Sequence, residues 1–148
     1  MVRSRRAAIG MALVTGSIAA ALAASVRRVE VAGGSMAPSL LPGDRLLVVG
    51  WPVTVGLLRQ LPPWPEPGQV VAVRDPRLPA RVLVKRVASV NRRSGVVDVL
   101  GDASDASTDS RSFGPVLRSA IVGRAVYRYA PVDRTGRGPW PAEYARRT

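Results

Sequence analysis

Arg81-Val82-Leu83-Val84-Lys85-Arg86-Val87-Ala88-Ser89-Val90 is an apolar, β-branched run with a lysine at its centre. Such a run reads as a strand entering a core. Similar runs recur at Val29–Ala32, Arg45–Val49, Gln69–Arg74, Val96–Leu100 and Ile121–Tyr129. Turn signals separate them, among them Asp75-Pro76 and Asn91-Arg92-Arg93-Ser94-Gly95. The pattern predicts a mainly β fold: a small antiparallel β-sheet or barrel-like domain over residues 29–131, about 100 residues and enough for one modest core.

Lys85 is the chain's only lysine, against 21 arginines, and there is no histidine or cysteine. An arginine keeps its proton, whereas a lysine can be made neutral by burial and can then act as a base. Without His and Cys there is no Ser-His-Asp triad, cysteine protease, zinc finger or His-ligated metal site, and no disulfide. No metal and no cofactor are expected. For nucleophilic catalysis the route that remains is a hydroxyl activated by Lys85.

The candidate hydroxyl lies in Gly33-Gly34-Ser35-Met36-Ala37-Pro38-Ser39-Leu40-Leu41-Pro42-Gly43-Asp44. Two glycines before Ser35 permit close backbone approach, and the prolines stiffen the turn that follows. A serine between Gly and Pro is also what an ordinary loop contains. Gly101 to Val116 is a third polar segment, rich in short hydrogen-bonding side chains. Within it Asp109 and Arg111 have the spacing to pair, and Ser107 is suited to hold a lysine amine. The same residues also suit a plain solvated loop.

Together the three segments resemble type I signal peptidases, the Ser-Lys serine proteases of the bacterial cytoplasmic membrane. The nucleophile motif Ser-Met-x-Pro-(Ser/Thr)-Leu-x-x-Gly-Asp matches Ser35 to Asp44, and the Lys-Arg pair on an apolar strand matches Lys85-Arg86. The third motif matches Gly101 to Gly114, with Ala103 in place of an asparagine. The resemblance implies Ser35 as nucleophile, Lys85 as general base and Ser107 as the group that orients the amine. It implies structural support from Asp109, Arg111, Asp102 and Arg86. The oxyanion is expected at the Ser35 amide beside Gly33, where some members carry a hydroxyl. Val31, Ala32, Met36, Leu40, Leu83 and Val84 are expected to line shallow pockets for small side chains. The implied substrates are signal peptides of exported pre-proteins, bound as an extended strand and cut after Ala-x-Ala. The short interval between Lys85 and Gly101 marks a minimal version of the fold.

Arg3, Arg5 and Arg6 precede 20 uncharged residues, Ala7 to Val26, and Arg27 and Arg28 follow. Twenty helical residues span about 30 Å, enough for the hydrocarbon layer. Residues 1–28 are read as an uncleaved anchor with flanking arginines and not as a cleavable signal, because few residues separate it from Ser35. The arginine distribution gives a single pass, N-terminus inside, with the catalytic domain outside the cytoplasm. Five of the basic residues flank this segment, leaving +7 of the net charge of +12 to residues 29–148. These are scattered, no nucleic-acid-binding signature appears, and anionic headgroups of the phospholipid membrane account for the charge. No nucleic-acid partner is expected, and the protein is read as a monomer.

The segment Gly50 to Gly68 carries five prolines and three leucines with Trp51 and Trp64. It either packs over the core or dips into the lipid interface. Residues 132–148, with Gly136, Gly138, Pro139 and Pro141, are expected to lack fixed structure. Competing functional readings are a maturation protease dedicated to one pro-protein (the nickel superoxide dismutase type), a LexA-like self-cleaving regulator, and an inactive membrane-anchored binding module. The missing DNA-binding domain and the apolar N-terminus argue against the second.

Overall fold

The structure, a computed structural model, describes residues 26–50 and 64–141. The expected anchor over residues 1–25 and most of the proline-rich segment, residues 51–63, lie outside the described residues. Among the described residues no helix is long and apolar enough to cross a membrane.

The strands are β1 (Val26–Glu30), β2 (Arg45–Val49), β3 (Val70–Asp75), β4 (Leu78–Asn91), β5 (Val96–Leu100), β6 (Val116–Leu117), β7 (Ile121–Ala130) and β8 (Gly136–Arg137). They form one sheet in the order β1-β2-β7-β3-β4-β5-β6, with β8 added to β7 and the strand pairs antiparallel. The expected mainly β, antiparallel class is therefore what forms.

β3 sits near the middle because its residues are apolar on both faces. Val70 and Ala72 join Leu46, Val48, Val84 and Ala125 in one buried cluster. Val71 and Val73, one step out of phase, join Val87, Val97, Val99 and Ile121 in a second. Alternation at a period of two residues thus lets one strand serve two cores. Each fully buried valine contributes about 1.5–3 kcal/mol relative to exposure. The Asp75-Pro76 signal becomes the β3–β4 hairpin, where buried Asp75 Oδ1 accepts from the Arg77 N–H at 3.0 Å. At the β4–β5 turn Asn91 Oδ1 accepts from the N–H groups of Arg93 and Ser94, both at 3.1 Å, and Gly95 supplies the positive φ of 76°.

Two expectations are corrected. The first strand begins at Val26 and ends at Glu30, so Val26, Arg27 and Arg28 belong to the sheet, facing Val49, Val48 and Leu47, and not to an anchor reaching residue 28. β1 is an edge strand with most of its residues exposed, which is why arginines are tolerated there. Residues 132–141 do not lack structure. They form a 3-10 turn at Val132–Arg134 and then β8, and they bury Trp140 in the first cluster. Glycine and proline content disguises a segment anchored by one large aromatic ring. Residues 142–148 lie outside the described residues. Trp64, at the end of the proline-rich segment, packs against the second cluster, with the Arg118 guanidinium 5.8 Å from its ring centre.

Candidate active site

Ser35 stands on a 3-10 turn, Gly34–Met36, in the loop between β1 and β2. The loop is closed at its base by Val31 N–H donating to Asp44 O (2.9 Å) and Gly43 N–H donating to Val31 O (2.8 Å). Met36 and Leu40 are fully buried beneath it. Gly33, with φ −121°, is in ordinary extended conformation. The Ser35 carbonyl accepts from the Ala103 N–H at 3.0 Å, which fastens this loop to the one carrying Ser107. Because that tie uses the backbone of residue 103, its side chain is free to be alanine.

Lys85 lies on β4 opposite Val71. Neighbours on a strand face opposite ways, so Lys85 and Arg86 serve different sites. Lys85 is 2% exposed, and its Nζ donates to Ser107 Oγ at 2.9 Å. Ser107 Oγ donates in turn to Asp109 Oδ2 at 2.5 Å. Asp109, fully buried, accepts from Arg111 Nε (2.9 Å) and Nη2 (2.6 Å) and from the Gly101 N–H (2.8 Å). It also caps the short helix α1 (Ser110–Phe113) by accepting from the Arg111 N–H.

This relay has a direction. Asp109, as a carboxylate, only accepts, so Ser107 must spend its proton on it and turn a lone pair toward the lysine. Lys85 then presents an N–H to Ser107. Burial lowers the Lys85 pKa below its ordinary 10.5; Asp109 pulls it back up, and Arg111 and Arg81 push it further down. Burial alone would raise the Asp109 carboxyl, but hydrogen bonds from Arg111, Gly101 and Ser107 outweigh it and hold the group below the usual carboxylate range.

Ser35 and Lys85 line one cleft, together with Gly33, Gly34 and five of the expected pocket residues: Val31, Ala32, Met36, Leu83 and Val84. The sixth, Leu40, does not line it; it is fully buried in the first core cluster, because the loop turns it inward under Ser35. Glu30, Arg77 and Arg81 border the same cleft. They carry no sequence signal beyond charge.

Beside the Asp109–Arg111 pair stand two further bracing centres. Arg86 donates to both oxygens of Asp102, at 2.8 and 2.7 Å, to Gly68 O at 2.8 Å and to Trp140 O at 2.7 Å. Asp44, the last residue of the nucleophile motif, forms the second centre. It is fully buried, accepts from the Leu41 N–H at 2.9 Å, and pairs with Arg128 at 3.0 Å and Arg134 at 2.8 Å. Among the described residues no cluster of His, Cys, Asp or Glu is arranged to hold a metal ion.

The chain belongs to the signal peptidase family, peptidase S26, whose profile matches residues 4–91 and 93–130. Among characterised relatives, the mitochondrial ATP-independent inner membrane protease subunit 1a of Arabidopsis thaliana is 35% identical over 136 residues, covering 78% of this chain and 71% of its own. Subunit 1b from the same plant is 30% identical over 130 residues, covering 74% and 73%.

Proposed function

We propose that the protein is a membrane-tethered serine endopeptidase that removes signal peptides from exported pre-proteins, cutting after small residues of the Ala-x-Ala type. Ser35 is the nucleophile and Lys85 the general base. One observation carries this reading above the others: a lysine 2% exposed, its amine tied to Ser107, lines the same cleft as Ser35. Burial that lowers the amine's pKa favours its neutral form, and the neutral form has the lone pair that takes a proton.

Lys85 Nζ takes the proton from Ser35 Oγ as that oxygen attacks the scissile carbonyl. The lysinium passes the proton to the departing amine, leaving an ester on Ser35. Water, activated by the same amine, releases the new C-terminus. Ser107 orients the amine, and Asp109 with Arg111 fixes the polarity of Ser107. Arg86 and Asp102 hold the β4 side of the scaffold. The Ser35 amide, in the first turn of a 3-10 helix where no intrahelical acceptor is available, receives the oxyanion beside Gly33. Val31, Ala32, Met36, Leu83 and Val84 make a shallow apolar wall suited to alanine side chains.

The apolar N-terminal segment serves as a single-pass anchor, N-terminus inside, in the cytoplasmic membrane of a bacterium, with residues from Val26 onward outside. The relatives named as inner membrane proteases support association with a membrane. The test uses detergent-solubilised full-length protein and a panel of pre-proteins, with N-terminal sequencing of products. Wild type is expected to cut after Ala-x-Ala. Ser35→Ala and Lys85→Arg, both folded, are expected to lose at least about a thousandfold in rate. Cleavage retained by Lys85→Arg would remove the mechanism, and cleavage of a single pro-protein from the panel would identify a dedicated maturation enzyme.

A further inference from the structure

Residues 132–141 lie beyond residue 130, the last one matched by the family profile, and they fold back onto the nucleophile loop. β8 pairs with β7, Tyr127 facing Arg137 and Arg128 facing Gly136, and the Gly138 N–H donates to Val126 O at 3.0 Å. From this fixed stretch the chain reaches the loop at several points. Arg134 Nη2 lies 2.8 Å from Asp44 Oδ1, and Ser39 Oγ donates to Pro141 O at 2.9 Å. Trp140 O accepts from Arg86, the neighbour of Lys85, at 2.7 Å. The Trp140 ring, 6% exposed, is buried in the cluster that holds Met36 and Leu40. Arg128 completes the contact, with its guanidinium 5.9 Å from the Trp140 ring centre and Nη1 3.3 Å from Ser39 O.

A loop carrying an attacking hydroxyl has to be held to a fraction of an ångström, since small misplacements cost large factors in rate. The fully buried Asp44 carboxylate at the end of that loop needs cations, and one of its two comes from this segment. We infer that residues 132–141 are a positioning strap that holds the Ser35 loop in register with Lys85, with Arg134 and Trp140 as its positioning residues. The inference rests on the assignment of Ser35 and Lys85 as the catalytic pair. No strap residue lines the cleft that holds these two side chains, so loss of the strap acts on kcat and spares KM.

The test compares full-length Arg134→Gln, Arg134→Lys, Trp140→Ala and Trp140→Phe by kcat and KM per titrated active site, and by hydrogen exchange of residues 33–44. Arg134→Gln and Trp140→Ala are expected to lose about tenfold or more in kcat, with KM changed by less than about twofold. Amides of residues 33–44 are expected to exchange at least about tenfold faster, while those of β3 and β4 keep wild-type rates. Arg134→Lys restores the charge, and Trp140→Phe keeps the ring while dropping an indole N–H that has no acceptor among the described residues. Both are expected to recover most of the activity.

Unchanged kcat in folded Arg134→Gln overturns the inference, whether or not exchange speeds up. So does a loss matched by fewer titratable sites or by faster exchange throughout the sheet. If Trp140→Ala fails to fold, the Arg134 pair decides. If the wild type cleaves nothing, the assignment of Ser35 and Lys85 fails, and the exchange measurements still decide whether the strap orders the loop.

Discussion

Replacing Gly101 by alanine tests the packing between the loops that carry Ser35 and Ser107. A Cβ on Gly101 would stand 2.5 Å from the Ser35 carbonyl oxygen and 2.6 Å from Ser107 Cβ, and it would overlap Ser107 Oγ. One of these neighbours is backbone and is already committed to the Ala103 N–H, so it has little freedom to retreat. Overpacking costs about 1–3 kcal/mol, and a clash with backbone puts this site at the upper end. For a domain of this size about 3 kcal/mol lowers Tm by roughly 10–20 °C. Relief by rotating Ser107 would break its bond to Lys85, so activity falls further than stability alone dictates. Gly33→Ala is the matched control: nothing lies within 4 Å of where its methyl group would stand, and φ is −121°. Reduced freedom of the unfolded chain should make that variant about 0.4–1 kcal/mol more stable. Thermal unfolding in detergent, with turnover measured alongside, reads both. A Gly101→Ala protein within about 0.5 kcal/mol of wild type would disprove the tight packing, since surface-like tolerance at this position is incompatible with the contacts described.

Ser107→Ala removes the acceptor for the Lys85 amine. An unmade buried hydrogen bond costs about 1–3 kcal/mol, so kcat should fall about 10- to 100-fold. Its acid limb should move to lower pH, because the charged form loses its partner. Asp109→Asn removes the charge that raises the Lys85 pKa and should shift the limb the same way, as pH–rate profiles would show. The folded Asp109 pKa lies below its ordinary 3.8, so its contribution to stability is present above that value and is lost as pH falls beneath it. Urea unfolding across acid pH should therefore show a shallower decline for Asp109→Asn than for wild type. Arg86→Gln strands an Asp102 side chain only 4% exposed and should cost about 3–5 kcal/mol, and Arg86→Lys should recover little because one ammonium does not reproduce the two-pronged contact.

Strands β2 and β5 are legible to the residue, because short β-branched runs bounded by turn residues have little else to form. Lys85 is legible as a buried amine for a related reason: a lone lysine inside a continuous apolar strand has nowhere wet to go. Its partnership with Ser107 needs the resemblance to known peptidases, since a gap of 22 residues does not define which hydroxyl arrives. The Asp44 centre is not legible. Arg128 is 84 residues away, and arginines are so common in this chain that none stands out as a partner. The tail misleads because its glycines and prolines outweigh its single tryptophan in any reading by composition. Leu40 misleads because an apolar residue close to Ser35 serves equally well as pocket wall or as floor, and only the path of the loop decides.

Because Lys85 is the chain's one lysine, lysine labelled with carbon-13 at Cε gives a single side-chain resonance that titrates with the amine alone. Its midpoint is expected below 10.5, coinciding with the acid limb of kcat/KM. A midpoint at or above that ordinary value, with activity already maximal while the amine is charged, would show that Lys85 is not the base.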